Sequence, residues 1–424
     1  MYRPRSPLPG RRMALEFRKQ TLANGLTIVA ECNPQAYSAS YAFFVRTGSR
    51  DETDEVSGVS HFLEHMVFKG TPTRSPFDVN RELDELTSSS NAFTNEEQTV
   101  YYATTLPEDQ PKVVALLADI MRPSLRQDDF DTEKQVILKE IAKYEDEPPF
   151  NAHEKCMALH FGQHPLGRSV LGTALSIEKL QRDQMLTYFE ERYSPRNMVL
   201  AAAGNVDFDA LVQAADTNCG GWKAFPAERK LEPAVAQQRF ALYEKSNTAQ
   251  QYIIQAGSAP ATEDDDRYAA RLMTTILGDD SGSRLFWALV DTGLAEYAAI
   301  SANEFQGCGM YMSALCCAPD DAQSNLELMT DLLAAAQEGN VTEEELEQAK
   351  NKVCAQVVLH AERPASRMFS VGNGWLQRQQ YRTVRETVAA YRKVTVADIR
   401  RVLDRYPLNK MSTVAIGPLK ELRT

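Results

Sequence analysis

Apolar and polar positions along this chain follow two rhythms. From Glu16 onward they alternate with a period near two around an Asn24-Gly25 turn, which predicts a β-hairpin. Residues 26–29, 41–45 and 99–105 are rich in β-branched and aromatic side chains and predict strands. Residues 77–86, 112–121, 180–192 and 342–360 follow the helical period instead. A further helix is expected at 131–146, after the Asp128-Asp129 pair. Strands mixed with helices imply an α+β chain in which a mixed sheet is covered by helices on one side.

The pattern occurs twice. Phe44-Val45-Arg46-Thr47-Gly48-Ser49, an acidic loop and a helix are echoed by Ile254-Gln255-Ala256-Gly257-Ser258, Glu263-Asp264-Asp265-Asp266 and a helix. Leu106-Pro107-Glu108-Asp109 pairs with Ala318-Pro319-Asp320-Asp321, each opening a helix, and Tyr193-Ser194-Pro195-Arg196-Asn197-Met198 pairs with Tyr406-Pro407-Leu408-Asn409-Lys410-Met411. Landmarks in the same order at similar spacing argue for a duplicated domain. The expected division is 14–220 and 241–424, with 221–240 as a proline-containing linker. Residues 1–13, with Arg3, Arg5, Arg11 and Arg12 among prolines, are expected to be a disordered extension, or Met13 the true start.

The most specific chemistry lies in His61-Phe62-Leu63-Glu64-His65. At ~100° per residue, His61 and His65 share one helix face with Glu64 beside them. Val59, Phe62, Leu63, Met66 and Val67 make the rest of that helix apolar, so the three polar residues are headed for a buried setting that demands partners. Two imidazoles one turn apart can hold a zinc ion, and the adjacent carboxylate can take a proton from an activated water. This is the inverted order of a metallopeptidase motif. In the 131–146 helix, Glu133 and Glu140 fall about 20° apart on the wheel, within the apolar stripe of Val136, Ile137, Ile141 and Tyr144. Carboxylates there need a cation or dense hydrogen bonding.

The run from Ser57 to Thr71 resembles the active-site helix of the pitrilysin/insulysin family of zinc metallopeptidases, in the short form similar to mitochondrial processing peptidase. Asn91-Ala92-Phe93-Thr94 before Thr99-Val100-Tyr101, His164-Pro165 with Gly172-Thr173, and Tyr193-Ser194-Pro195 with Asn197-Met198 extend the likeness from about Leu22 to Gly417. The resemblance implies His61, His65 and Glu140 as ligands of one Zn2+ per chain, Glu64 as general base, and Glu133 as a carboxylate orienting a ligand. It implies Asn91, Ala92, Phe93 and Thr94 as a substrate-binding edge strand and Tyr297 as a substrate contact from the second half. It also implies the architecture: two homologous α/β-sandwich domains per chain forming half of a clamshell chamber, completed by an identical or related chain. The expected activity is zinc-dependent hydrolysis of unfolded or short peptides. Two departures stand out. Ser88, Ser89 and Ser90 replace glycines before the edge strand, and Val290 stands where active relatives carry an arginine seven residues before Tyr297. A partner chain supplying that arginine, or a non-catalytic scaffold of the same fold, are the alternatives. The second half has Tyr268-Ala269-Ala270-Arg271-Leu272-Met273 and no histidine where the zinc helix would recur.

Composition narrows the classes further. The 43% hydrophobic and 25% charged fractions suit a globular chain, and no apolar run is long enough to span a membrane. A formal charge of −12 disfavours nucleic acid as a partner. Seven cysteines without framework spacing favour a reducing, cytoplasmic setting. Glu82, Asp84, Glu85, Glu96 and Glu97 crowd the expected edge strand, mostly as solvated acidity, with attraction of basic peptides as the lesser reading.

Overall fold

The computed structural model describes residues 15–423; the expected extension at 1–13 lies outside them. Among the described residues, eleven strands form two mixed sheets. The first comprises β1 (Glu16–Thr21), β2 (Thr27–Cys32), β3 (Ala39–Val45), β4 (Ser89–Thr94), β5 (Thr99–Thr105) and β6 (Met198–Gly204), in the order β1-β2-β6-β3-β5-β4. The second comprises β7 (Phe240–Glu244), β8 (Gln251–Ala259), β9 (Tyr297–Phe305), β10 (Cys308–Cys317) and β11 (Met411–Gly417), in the order β7-β11-β8-β10-β9. Without β1 the two orders are identical, and each sheet has one parallel pair, β2 with β6 and β7 with β11. The expected hairpin is β1 with β2: Gly25 takes φ +94 at the turn, and Asn24 Oδ1 accepts from the Leu26 amide at 3.1 Å.

The expectation of helices on one side of each sheet is corrected. Every residue of β3 is buried, because both of its faces are covered. Tyr41, Phe43 and Val45 pack on helices of their own half, including Val59–Val67 and Gln110–Ile120. Ala42 and Phe44 pack against Met368, Val371 and Leu376 of the helix Pro364–Arg378, which comes from the second half. The exchange is reciprocal: Ala152, Cys156, Met157 and Phe161 of the helix Pro148–Phe161 cover Ile254, Ala256, Val414 and Ile416 of the second sheet. A Cβ at Gly372 would overlap the Phe44 ring, so glycine permits this close helix–sheet approach. Arg367 and Tyr381 close the seam on the buried carboxylate of Glu31. Each fully buried apolar side chain at these seams contributes roughly 1.5–3 kcal/mol, so the halves stabilise one another through their helices.

Helix starts also differ from expectation. The helix expected at 131–146 begins at Gln127, placing Asp128 and Asp129 in its first turn, where the helix dipole favours negative charge. Val136 is exposed and leaves the apolar stripe. The helix expected from 180 begins at Arg182, because Ala174–Lys179 forms a separate short helix. The stretch 223–239 has no regular structure but is anchored: Arg229 is paired to Asp51 at 2.6 Å and donates to Gln306 Oε1 at 2.9 Å. No helix among the described residues is long and apolar enough to cross a membrane.

Candidate metal centre

The motif helix Val59–Val67 lies against the first sheet, with Phe62, Leu63, Met66 and Val67 in the core. Its entry is fixed by two devices. Gly58 takes φ +89, and a Cβ there would collide with the Leu171 carbonyl. Glu52, 4% exposed, reaches the open end of the helix and accepts from the Gly58 amide at 2.7 Å and the Ser60 amide at 2.8 Å. It satisfies donors that the first turn leaves without partners. Its burial pushes the carboxyl up to about 7 despite those two hydrogen bonds.

The sign of this shift gives a stability prediction. The folded chain holds the Glu52 proton more tightly than an unfolded chain, whose carboxyl titrates near 4.5. Its stabilising contribution is therefore complete below about pH 4.5 and is lost as pH rises through 7. Glu52→Gln is neutral throughout. The stability gap between wild type and Glu52→Gln in urea unfolding should shrink between pH 5 and pH 8 by an amount on the order of 3 kcal/mol. A gap independent of pH would refute the assignment.

Across from the motif helix runs Gln127–Asp146, carrying Glu133 and Glu140. His61 Nε2 lies 3.8 Å and His65 Nε2 3.6 Å from Glu140 Oε2, and the three ligating atoms fall within 4.8 Å of one another. Burial, then the nearby His65, pull His61 down to about 3, so its imidazole is neutral and its lone pair free. His61 Nδ1 is buried without a hydrogen-bond partner among the described residues. His65 Nδ1 meets Glu133 Oε1 at 2.8 Å, an arrangement that aims Nε2 at Glu140. Burial lowers His65, but the Glu133 hydrogen bond and the charges of Glu140, Glu133 and Glu64 outweigh it and hold the ring above its ordinary range. Glu133 is itself raised by burial, but the hydrogen bonds from His65 and Lys69 win and lower it, with Lys69 Nζ 2.6 Å from Oε2. Two imidazoles and a carboxylate, one position left open, suit zinc.

Glu64, on the same helix as the two histidines, lies outside the group of three that could hold a metal. Burial raises its carboxyl, opposed by a hydrogen bond from Thr94. Asn91, Ala92, Phe93 and Thr94 all lie on β4, the outermost strand of its sheet. Ala92 faces the motif helix side, whereas Phe93 turns to Phe369 of the exchanged helix at 5.9 Å. Tyr297 opens β9 and is 48% exposed; it has no hydrogen bond to the ligating residues among the described residues. Val290 packs on the second-half core, and Arg284, nearby in sequence, is held by Glu345 at 2.7 Å and Asn340 at 2.6 Å.

The expectation of solvated acidity near the edge strand needs correction in two places. Glu97 is 4% exposed and paired to Arg50 at 2.7 Å, and Glu82 is paired to Arg74 at 3.0 Å. Lys69 and Glu52 are the residues that sequence reasoning passed over. Lys69 lies one turn past His65 and was within reach of the same helical wheel. Glu52 precedes the helix and carries no periodic signal.

Residues 27–174 match the family model described as insulinase (peptidase family M16), and residues 179–353 the model described as the peptidase M16 inactive domain. A Mycobacterium tuberculosis protein named an uncharacterized zinc protease is 34% identical over 412 residues, covering 96% of this chain and 94% of its own. The crystal structure of a protease from Helicobacter pylori shares the fold at a TM-score of 0.89 and 21% identity, over 95% of this chain and 100% of that one. A chain of complex III2 from Candida albicans does so at 0.83 and 19% identity, over 96% and 97%.

Proposed function

The chain belongs to the insulinase family of peptidases, family M16, and from that premise we propose that it is a zinc-dependent endopeptidase acting on unfolded or short peptides. The observation that carries this reading is the convergence of His61, His65 and Glu140 on one point with Glu64 beside it. His61, His65 and Glu140 would hold one zinc ion per chain, which would supply Lewis acidity toward a water molecule and a peptide carbonyl. Glu64 takes the proton as water adds to the carbonyl carbon, and returns it to the amine nitrogen as the C–N bond breaks. Glu133 holds the His65 ring in place. The free edge of β4, from Asn91 through Ala92 and Phe93 to Thr94, pairs with an extended substrate through its main chain, and pairing of this kind requires an unfolded segment. Tyr297 touches substrate from the second half. We place the catalytic unit at 14–220 and its inactive counterpart at 241–424, joined by 221–240, in a cytoplasmic protein whose chamber is closed by a second copy or a related chain.

Val290 supports a second reading, in which a related partner chain provides the cationic substrate contact. A non-catalytic scaffold of the same fold is a third reading. Digestion of a mixed library of unstructured peptides by the zinc-loaded chain separates these. Turnover by the chain alone, confined to peptides long enough to pair along β4, is the expected result. Zinc bound at one per chain with no cleavage at any length would move the reading to the partner-dependent form or to the scaffold.

A further inference from the structure

The hydroxyl of Thr94 is already committed before any substrate arrives. Thr94 Oγ1 donates to Glu64 Oε2 at 2.6 Å, and this is the only hydrogen bond to that carboxylate among the described residues. A second acceptor, Thr99 Oγ1, lies at 3.4 Å. Thr94 has one hydroxyl proton, and the short bond to a carboxylate is the stronger of the two. Thr99 spends its own proton on the Thr47 carbonyl at 2.9 Å.

The position of this hydroxyl is set by the β4–β5 hairpin and not by the helix that carries Glu64. Thr94 faces the fully buried Thr99 across the last pair of the ladder. The turn beyond is closed by the Asn95 amide donating to the Gln98 carbonyl at 2.9 Å, and by Asn95 Oδ1 accepting from the Glu97 and Gln98 amides, each at 2.9 Å. A glutamate side chain has several rotatable bonds and no fixed direction of its own. Here one carboxylate oxygen is pinned to a rigid strand end, which leaves Oε1 to receive a proton.

We propose that Thr94 is a positioning residue for Glu64, holding the general base through its hydroxyl while its main chain ends the strand that pairs with substrate. The inference rests on the peptidase reading and adds to it a mechanical link. One residue serves both the edge that reads the peptide backbone and the group that moves the proton, so substrate register and base placement are set together. The side chain of Thr94 is thereby removed from the set of direct substrate contacts; its main chain stays in that set.

The test uses the full-length, zinc-loaded chain as wild type, Thr94→Ser, Thr94→Val and Thr94→Ala, with kcat and KM measured on an internally quenched peptide and zinc counted per chain. Valine keeps the shape and strand preference and removes only the hydroxyl; alanine removes the hydroxyl without β-branching, should valine perturb the hairpin. The expected result is a fall in kcat of about 30- to 100-fold for Val and Ala, with KM within about twofold and zinc unchanged, and recovery to within about threefold in Ser. Near-wild-type kcat in Val or Ala would overturn the proposal. So would a loss common to Ser, Val and Ala that appears in KM, which marks a substrate contact or a strand defect. If wild type alone cleaves no peptide, the stand-alone peptidase reading fails on its own account, and crystal structures still decide this point. A Glu64 carboxylate bonded to residue 94 in wild type and Ser but turned away in Val supports the link; an unmoved Glu64 in Val refutes it.

Discussion

Glu64→Gln is expected to bind zinc like wild type and to lose peptide hydrolysis by about a thousandfold or more, toward the upper end of what a positioned general base contributes. The substitution changes little besides proton affinity. Gln keeps the length of the side chain, and its amide oxygen can still accept from Thr94 Oγ1, which now bonds Oε2 at 2.6 Å. Glu64 lies outside the group of three that could hold the metal, so the two imidazoles and Glu140 remain in place. An amide nitrogen has no basicity near neutral pH, and the water proton then has no acceptor. Zinc per chain by atomic absorption and kcat on one quenched peptide decide the matter. A Gln variant with wild-type turnover would falsify the base assignment, and a Gln variant without zinc would make Glu64 a ligand.

Glu140→Ala is expected to abolish activity by a different route, through loss of the metal. Removing the sole carboxylate ligand leaves two imidazoles, and the affinity should fall by more than the about 10- to 100-fold that loss of an outer partner such as Glu133 costs. The chain itself should still fold, since the Glu140 side chain is 25% exposed and its contacts are with the two histidines. The readout is thermal. Zinc at about 100 times its Kd stabilises wild type by roughly 2.7 kcal/mol, because the metal binds only the folded site. Under the same zinc concentration Glu140→Ala should show almost no rise in Tm, and zinc should leave on dialysis. A variant that keeps one zinc per chain would move the third ligand elsewhere.

The motif was legible because its geometry is local. Residues four apart on a helix share a face in any surroundings, so His61 and His65 could be placed together from spacing alone, and Glu133 could be placed beside Glu140 by the same rule. That both pairs meet required a resemblance, since about 75 residues separate His65 from Glu140. The duplication was legible for a related reason: paired landmarks recur in order, and the two sheets share one strand order. The interlock of the halves was not legible. Nothing local in the exchanged helices Pro148–Phe161 and Pro364–Arg378 says which sheet their apolar side chains will cover.

By itself the sequence determined the inverted motif, the hairpin at Asn24-Gly25, the duplicated organisation and the absence of a histidine pair where the motif helix would recur in the second copy, all of which depend on spacing within a few turns or on repeated order. Tertiary structure alone decided that Glu52 caps the motif helix, that Lys69 and His65 share Glu133, that Thr94 holds Glu64, and that Glu97 is spent on Arg50. These are hydrogen bonds and ion pairs whose energy depends on direction and burial. Both are fixed only when distant segments pack, so no period along the chain records them.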